Sequence, residues 1–498
     1  MKKLFLFLLI LAAPGGLPVA WAQLVQVQRL EIDPYASTES RIYGVTTLGN
    51  QGLLVSTQPQ QVFYNTDNYW TFARYDTSLA KVWEKRFDID WYLRPTQVYL
   101  DSAFLYVLLT RRESVKFKIF QLNHLTGGAE MMEGSSLTPV TVTDFKVMSQ
   151  TAYLGGYVNK RPVVVAFGFL DKRSRVLPAL YEPRSELVSI EIDPVNRAAN
   201  IVVSNAAGRQ RKLFLKTFDY AGRIIKNLPL QSDQDKTLHT ARITSLTASE
   251  QLVMGNYGVR NSPFFQGMYL ARLNDDRQEY IQYFGFNDLR SFFDYLPPPR
   301  RRKVRERITR LRQQGREMQL NHRFLMHDVI ETKDQYIVVA EAYLPQKGAS
   351  YMASDRYRYT HAVVCGFDKA GNLLWDNCFE ISGYGDYQLR KIVEIAVNED
   401  KIVLAYPGEG CVYAKVIRGG DVVKDKEKYK MKTNFEGDKV NNAAHTSIAH
   451  WYGSYFITWA VQQISNGKDT GVEPYREVFS LGKLVYRSEA STLLPEQK

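Results

Sequence analysis

The sequence has few of the residues that build disulfide, metal or membrane-embedded structures. Its 498 residues include three cysteines and seven histidines. An odd number of cysteines leaves at least one thiol unpaired, so we do not expect disulfides to hold the fold together. Beyond residue 22, no stretch approaches the ~18 apolar residues that a membrane-spanning helix needs. We therefore expect a mature chain without a transmembrane segment, stabilised by an apolar core.

Motifs of catalysis and metal binding are also missing. There is no Gly-x-Ser-x-Gly, no Walker loop and no Gly-x-Gly-x-x-Gly after a strand. His322 and His327 are five residues apart, as are His445 and His450. That spacing puts the two rings on opposite faces of a strand, whereas a zinc pair on a helix needs three or four. We predict no metal, no cofactor and no catalytic residue, although paired carboxylates cannot be recognised before the fold is known.

Residues 1–22 are typical of a secretory signal peptide. Lys2 and Lys3 form a charged start, Leu4 to Ala13 an apolar stretch, and Ala20-Trp21-Ala22 an A-x-A cleavage site. The apolar stretch is too short to span a bilayer, and Pro14-Gly15-Gly16 follows it. The sequence predicts export to the periplasm or the medium, with association with the outer membrane as an option. An uncleaved membrane anchor is the alternative.

Positive charge is concentrated in one segment. The whole chain carries a net charge of +12, or +10 without Lys2 and Lys3. Residues 300–323 contain ten Lys or Arg against Glu306 and Glu317, a net charge of +8. The rest of the mature chain is thus nearly neutral, and the excess charge belongs to a local feature and not to the fold.

The chain repeats one unit: a short alternating strand, a polar turn, a nearly continuous apolar strand, then a third strand, a turn and a fourth. Successive apolar strands are 46 to 55 residues apart, except for intervals of 84 and 65 that contain insertions. The positions that mark the eight units are Leu54, Val107, Tyr153, Ile201, Val253, Ile337, Ile402 and Ile457. Four-stranded units at this spacing predict an all-β fold, a single closed β-propeller of about eight blades over residues 23–498, with seven as the alternative.

The turn between the third and fourth strands has a recurring design. Phe218-Asp219-Tyr220-Ala221-Gly222 and Phe367-Asp368-Lys369-Ala370-Gly371 place Asp as the turn cap and Gly where a positive φ is needed. Trp375 follows Asp368 by seven residues, and Trp83 follows Asp76 by the same interval, although Ala80 lies near the glycine position.

On these residues the chain resembles the pyrroloquinoline-quinone-like propeller superfamily, in which a similar Asp-x-x-Gly and Trp signature docks neighbouring blades. The resemblance implies a propeller, whose members include quinone-dependent dehydrogenases and non-enzymatic scaffolds for outer-membrane protein assembly. The quinone enzymes would need a calcium site and an adjacent cysteine pair, but Cys365, Cys378 and Cys411 are well separated. Fold alone does not determine a function. The absence of an adjacent cysteine pair argues against a quinone enzyme, so the scaffold type is favoured.

Two expectations concern closure and the thiols. Val25, Val27, Leu30 and Ile32 alternate imperfectly, so we predict that this segment joins the blade formed by residues 447–487 and closes the ring. The turn after Asp368 should pair Asp368 with Asn372, placing Cys365 opposite Trp375 and Cys378 opposite Ala362. The two sulfurs would then not meet, and all three thiols would be free and buried.

The first insertion, residues 287–320, is expected to be a basic helical hairpin. Leu289, Phe292, Phe293 and Leu296 have the spacing of an amphipathic helix over 287–296, with Asn287 as N-cap. After Pro297-Pro298-Pro299, a second helix over 300–320 would align Val304, Ile308, Leu311 and Met318. The arginines either bind an anionic membrane surface, an acidic partner or an acidic polymer, or are merely solvated while the apolar stripe packs on the propeller rim.

The second insertion, Leu344 to Tyr359, is predicted to be a long loop on a functional face. The candidate binding residues of the two insertions are Arg300, Arg301, Arg302, Lys303, Arg305, Arg307, Arg310, Arg312, Tyr351, Tyr357 and Tyr359. We predict an exported, non-catalytic binding or scaffold protein whose partner is a protein or an anionic envelope component, with a glycan as a further candidate and nucleic acid disfavoured by export. A carbohydrate-active enzyme or glycan-binding propeller is the alternative.

Overall fold

The computed structural model describes residues 23–33, 41–59, 69–207, 210–259, 262–348, 355–468 and 473–487. The predicted signal peptide, residues 1–22, lies outside these ranges. Eight antiparallel sheets of four principal strands each form the described chain, which is an eight-bladed β-propeller as predicted. In the described ranges, no helix is both long and apolar enough to cross a membrane.

The first four blades follow one another along the chain. Blade 1 comprises β2 (Arg41–Thr47), β3 (Leu53–Pro59), β4 (Tyr69–Tyr75) and β5 (Lys81–Asp88); blade 2 comprises β6 (Arg94–Leu100), β7 (Phe104–Thr110), β8 (Lys116–Asn123) and β9 (Ala129–Ser135). Blade 3 comprises β10 (Thr141–Met148), β11 (Thr151–Val158), β12 (Arg161–Gly168) and β13 (Ser174–Val176); blade 4 comprises β14 (Ser185–Asp193), β15 (Ala198–Ala207), β16 (Gln210–Phe218) and β17 (Ile224–Leu230).

Blades 5 and 6 have interrupted first strands. Blade 5 comprises β18 (Lys236–Leu238), β19 (Arg242–Ser245), β20 (Glu250–Val259), β21 (Gly267–Asn274) and β22 (Arg277–Gly285). A helix, α1 (Pro298–Gln313), precedes blade 6, which comprises β23 (Arg323–Met326), β24 (Ile330–Glu331), β25 (Gln335–Gln346), β26 (Arg356–Asp368), β27 (Leu373–Glu380) and the short β28 (Gly385–Asp386).

Blades 7 and 8 complete the ring. Blade 7 comprises β29 (Glu394–Asn398), β30 (Lys401–Gly408), β31 (Cys411–Arg418) and β32 (Asp421–Lys430). Blade 8 comprises β33 (Asp438–Tyr452), β34 (Tyr455–Asn466), β35 (Tyr475–Arg487) and, as its outermost strand, β1 (Gln23–Ile32).

The eight marker positions of the repeat all lie on the second strand of their blade. These strands are buried on both faces because each blade is covered by its two neighbours, which explains their continuous apolar character. Ile201, Val253 and Ile457, for example, are completely buried. The core is therefore distributed over eight apolar layers, one at each junction between blades.

The first strands of neighbouring blades contact one another around the central axis, as β6 with β10 and β10 with β14 do. Because strand direction alternates within a blade, the loops between second and third strands and those between blades emerge on one face, the upper face. The turns between first and second and between third and fourth strands emerge on the lower face. Both predicted insertions therefore open on the upper face.

The N-terminal strand closes the ring, as predicted. Strand β1 pairs antiparallel with β35 from Gln23 opposite Arg487 to Ile32 opposite Phe479, with a bulge between Gln26 and Gln28. Arg476 bridges the two ends of the chain, since it contacts Glu31 at 3.3 Å and Asp438 at 2.6 Å. Ladder hydrogen bonds and a largely buried ion network thus hold the N-terminal strand in blade 8, the last blade of the ring.

The third-to-fourth strand turns dock each blade on its neighbour. In blade 6, Asp368 accepts the Asn372 amide at 2.8 Å and Gly371 has a φ of +90°. In blade 1, Leu79 occupies the equivalent left-handed position with a φ of +56°, because its side chain is buried in the layer between blades 8 and 1. Trp83 of blade 1 donates its indole N–H to the Leu125 carbonyl in the turn of blade 2, at 3.0 Å. The Asp and Trp positions thus act at the junctions between blades.

All three cysteines are free and buried in the structure, as predicted. The predicted register was wrong by one residue. The Asp368–Asn372 pairing is present, but a bulge between Gly366 and Phe367 places Cys365 opposite Asp376 and Cys378 opposite Val363.

The first insertion contains one helix and not the predicted hairpin. Residues 287–296 form successive turns, because the Asp376 carboxylate accepts the amides of Arg290 and Ser291 at 2.9 and 2.6 Å. Leu289, Phe292 and Phe293 are nevertheless buried, in the layer between blades 5 and 6. The apolar spacing therefore predicted correctly that these side chains are buried, but the predicted helix was wrong.

Helix α1 begins two residues earlier than predicted and ends at Gln313 instead of Leu320. Its end is a Schellman motif: the Arg316 amide donates to the Leu311 carbonyl, and Gly315 has a φ of +66°. Met318 therefore lies beyond the helix and does not continue its apolar stripe.

The two ends of the second insertion are strands and not part of a loop. Residues 344–346 of β25 pair with residues 356–358 of β26, and β28 pairs with the same part of β26. Residues 347, 348 and 355 lie outside the ladder, and Tyr351 lies outside the described residues.

Candidate functional site

Helix α1 is packed on the propeller through one apolar face. Ile308 is buried and Val304 is half-buried in the layer between blades 5 and 6. Leu311 is half-exposed. The helix has no apolar face left to insert into a bilayer, so any attraction of this surface to a partner must come from its charges.

Three of the predicted binding arginines fix the helix to the residues beneath it. Arg301 pairs with Asp294 at 2.8 Å, and Arg312 pairs with Asp288. The Arg305 guanidinium donates to the Leu289 carbonyl at 3.1 Å and lies 5.2 Å from the centre of the Phe293 ring. These three side chains hold the helix in place and are only partly available to a partner.

The other five cations of the helix point away from the propeller. Arg300, Lys303, Arg307 and Arg310 are exposed and have no side-chain partner among the described residues. Arg302 is exposed as well, with Glu306 at 3.8 Å as its only described ion-pair partner. Since Glu306 is the only carboxylate on the helix, the outer face carries a dense positive charge at fixed positions. We call these five residues the cationic face.

Two of the predicted binding tyrosines, Tyr357 and Tyr359, lie on the described part of the second insertion. Tyr359 is buried: its hydroxyl donates to the Arg390 carbonyl at 2.5 Å and accepts the Arg390 amide at 3.2 Å. Tyr357 is half-buried beside Tyr343. The structure therefore gives Tyr359 a role in packing the hairpin, and this buried tyrosine does not share an exposed surface with the arginines of α1.

Sequence reasoning missed a charged cluster in the central channel. The first strands of blades 3 to 7 and the segments beside them contribute the residues of this channel cluster: Asp144, Lys146, Glu191, Arg242, Asp328, Lys391 and Glu394. Arg242 contacts Glu191 at 2.6 Å and Asp328 at 3.9 Å. Lys391 lies 3.5 Å from Asp328. Residues from different blades thus neutralise one another across the channel wall.

Burial controls the electrostatics of this cluster. It raises the pKa of Glu191 even though Arg242 opposes the shift, and it lowers the pKa of Lys391. The pKa of Glu394 is raised to about 7, again by burial, against the amide of His450 that donates to it at 2.9 Å. Glu394 could therefore exchange a proton near neutral pH.

A buried carboxylate holds the wall beside this cluster. Glu341 is completely buried and accepts the amides of Ile392 and Val393 at 3.0 and 2.9 Å. The Nε2 atom of His327 lies 2.7 Å from the same carboxylate oxygen, Oε1. Glu341 therefore fixes the segment that carries Lys391 and Glu394 to blade 6.

No three metal-binding side chains come together among the residues that the structure describes. His327 contacts Glu341, whereas His322 lies in an aromatic cluster 5.6 Å from His361. The His450 ring lies 2.9 Å from the Gly453 carbonyl. The members of the channel cluster are up to 250 residues apart in the sequence. The only signal of the cluster in the sequence is the presence of charged residues on or beside the first strands of several blades.

The comparisons with known proteins concern only the fold. No protein family and no curated protein matches the sequence. The structure is similar to that of the polysaccharide lyase Uly1, with 8% sequence identity, a TM-score of 0.40 and coverage of 93% of this chain and 99% of that chain. It is similar to prolyl oligopeptidase B from Galerina marginata, with 9% identity, a TM-score of 0.40 and coverage of 85% and 56%.

The WD40 domain of coronin from Toxoplasma gondii is also similar, with 8% identity, a TM-score of 0.35 and coverage of 86% and 89%. This chain spans little more than half of the oligopeptidase. These similarities concern propeller-type folds and carry no argument about activity. By its own strand order and pairing, the chain is an eight-bladed β-propeller.

Proposed function

We propose that the protein is an exported, non-catalytic binding protein that holds an anionic component of the cell envelope on the cationic face of α1. The observation that supports the proposal is that the cations of the helix fall into two sets with different roles. Three arginines anchor it to the propeller, and five cations point outwards at fixed positions. Because the helix backbone is already held on the propeller, only the side chains lose conformational entropy when the face binds.

Export rests on the composition of residues 1–22, and the scaffold role on the Asp-x-x-Gly and Trp signature shared with the pyrroloquinoline-quinone-like superfamily. The near neutrality of the remaining chain supports a local site, because the positive charge is not needed for solubility over the whole surface. The inward position of Ile308 favours a purely electrostatic contact with anionic headgroups or an acidic polymer.

The test compares two sets of three substitutions with the same change in charge. One variant carries Lys303→Gln, Arg307→Gln and Arg310→Gln on the cationic face. The control carries Arg197→Gln, Arg277→Gln and Lys333→Gln, three exposed cations on turns of the lower face. Binding is measured by co-sedimentation with vesicles of phosphatidylglycerol and phosphatidylcholine, and with vesicles of phosphatidylcholine alone, across a salt series.

We expect the parent and the control to bind the anionic vesicles at low salt and to be released at high salt, because the Debye length falls from about 10 Å at 0.1 M to about 3 Å at 1 M. The cationic-face variant should bind several-fold more weakly with an almost unchanged melting temperature, since exposed charges contribute little to folding. Equal binding of the variant and the parent at low salt would refute the proposal.

A second candidate is a carbohydrate-active enzyme that uses the channel cluster. Glu394, with a pKa of about 7, is the group best suited to general acid–base work. We rank this function lower because Lys146, Arg242 and Lys391 neutralise most of the carboxylates around it. Loss of activity towards a panel of acidic and neutral polysaccharides in Glu394→Gln, with activity present in the parent, would promote it to first place.

A further inference from the structure

A groove beside blade 2 exposes aromatic rings together with uncompensated positive charge. It consists of two cavities of about 490 and 470 Å³ that share Tyr92 and Arg111. It is bordered by the loop that precedes β6, by the loop between β7 and β8 and by the turn between β12 and β13 of blade 3, which carries Lys172. We call it the blade 2 groove. It lies on the opposite side of the ring from α1, because α1 precedes blade 6 and blades 2 and 6 are opposite each other in a ring of eight.

Two large aromatic side chains stand at its edge. The exposed fractions of Trp91 and Tyr92 are 42% and 38%, and their rings are 5.9 Å apart and perpendicular. The loop that carries them is fixed from below, because Leu93 is buried and the Arg94 guanidinium donates to the Trp91 carbonyl at 2.7 Å. A rigid loop that holds two large rings in solvent is typical of a recognition surface.

The lining of the groove is strongly cationic. Six Lys or Arg line the two cavities, against Glu133 as the single carboxylate: Arg94, Arg111, Arg112, Lys116, Lys118 and Lys172. Lys118 is compensated, since it contacts Asp90 at 2.8 Å and Glu133 at 2.7 Å. Arg111, Lys116 and Lys172 are exposed and have no ion-pair partner among the described residues. Three charges are thus left for an anionic ligand.

The strands beside the groove are only partly paired. Arg94 is paired with Thr110 and Lys116 with Ser135, whereas β9, which carries Glu133 and Ser135, has an open outer edge among the described residues. A bound peptide normally gains affinity from main-chain hydrogen bonds to a free strand edge. The exposed rings and cationic side chains, with hydroxyls such as Thr96 and Ser114, offer the contacts that an acidic sugar chain uses. An acidic peptide on the β9 edge is the competing occupant that the test includes.

We propose that the blade 2 groove binds an acidic oligosaccharide. Sugar rings pack their C–H faces on Trp91 and Tyr92, and the carboxylate or sulfate groups of the chain pair with Arg111, Lys116 and Lys172. The size of each cavity suits a small ligand, since ligand sites usually enclose about 300–1,000 Å³. Arg111 has a particular role because its planar guanidinium can bind a carboxylate through two parallel hydrogen bonds.

The experiment uses the mature full chain and isothermal titration with oligogalacturonate, a carboxylated probe, and with the neutral methyl ester of the same oligomer. Tyr92→Ala is compared with Tyr220→Ala, an exposed tyrosine on the lower face, and Arg111→Gln is compared with Arg197→Gln. Dextran sulfate oligomers replace the carboxylate probe in a second series, which distinguishes carboxylated from sulfated glycans.

We expect one of the two acidic probes to bind and the neutral ester to bind at least tenfold more weakly. Tyr92→Ala and Arg111→Gln should each weaken the acidic probe about tenfold, the effect of about 1.4 kcal/mol, while both controls bind as the parent does. Melting temperatures check that each variant is folded.

Three results would overturn the inference: neither acidic probe binds, the variants bind as well as their controls, or polyglutamate occupies the groove more tightly than the sugars, which would indicate an acidic protein partner. The three-residue variant of the cationic face should retain oligosaccharide binding. This result separates a failure of the groove proposal from a failure of the proposed function.

Discussion

Three histidines surround the phenylalanines that join the first insertion to blades 5 and 6. His239 packs on Phe265, while His322 and His361 pack on Phe324. Tyr295 stacks on His361 at 4.0 Å. Burial lowers the pKa of His239 and of His322 to about 4 and that of His361 well below its usual value. All three rings are therefore neutral at pH 7, which is compatible with their aromatic surroundings.

These histidines should make the fold acid-sensitive. An unfolded histidine titrates near pH 6.5, so below that pH the unfolded state binds protons that the folded state does not. Stability is thus complete above about pH 7 and falls as the pH is lowered from 6.5 towards 4. At pH 5 the loss is about 2 kcal/mol per histidine.

We expect His361→Phe to keep most of its stability at pH 7 and to lose about 2 kcal/mol less than the parent between pH 7 and pH 5. Urea unfolding at both pH values measures the difference. His445→Gln, at an exposed position, is the control. The interpretation would be wrong if His361→Phe and the parent showed the same dependence on pH.

At the scale of elements, the turns between third and fourth strands fit one blade to the next. The blade 6 turn lies on blade 5, where the Tyr280 hydroxyl donates to the Ala370 carbonyl at 2.9 Å. A Cβ atom added to Gly371 would lie 2.9 Å from Leu270 Cδ2. Gly371 is therefore required twice, for its positive φ and for the close approach of the neighbouring blade.

Gly371→Ala and Gly49→Ala separate these two requirements. Both glycines have a positive φ, at +90° and +60°, but a Cβ on Gly49 meets nothing within 4 Å. Each variant should lose about 1–2 kcal/mol for the left-handed backbone. Gly371→Ala should lose a further 1–3 kcal/mol, roughly the cost of overpacking. Denaturant unfolding measures both, and equal losses would show that the turn does not bear on the blade junction.

At the scale of the whole molecule, ring closure depends on a strand from the opposite end of the chain. Leu24 on β1 is buried in the layer between blades 7 and 8, together with Phe456 and Tyr486. Without β1, the edge of β35 would be open and this layer would lose the side chain of Leu24. The stability of the entire ring is therefore linked to the first residues after the predicted cleavage site.

Deletion of residues 23–33 should lower the melting temperature by many degrees. Because this variant could fail to fold, Leu24→Ala tests the same point more mildly, with an expected loss of about 2–5 kcal/mol from the buried cavity. Val27→Ala on the same strand is the control, since Val27 is 40% exposed and should cost well under 1 kcal/mol. Equal effects of the two substitutions would mean that β1 contributes little to closure.

Local patterns in the sequence were sufficient for the repeat, the eight second strands, the capped turns and the closing strand. Each depends on neighbours in sequence or on burial from both sides, which continuous runs such as Phe104–Thr110 record directly. The helix boundary at Gln313 was also encoded locally, by Gly315. The predicted helix end, Leu320, was too late in the chain because the apolar spacing continues to Met318.

Two features depend on the tertiary structure alone: the conformation of residues 287–296 and the assembly of the channel cluster. Asp376, some 85 residues away, accepts the amides that a helix over 287–296 would have placed within its own first turns. The channel cluster and the blade 2 groove join side chains from different strands or blades, so no local spacing marks them. The sequence by itself determined which residues must be buried and where the blades repeat, because burial leaves a periodic pattern. Only the closed ring determined which charges and rings face one another, because those contacts depend on how the blades are arranged around the axis.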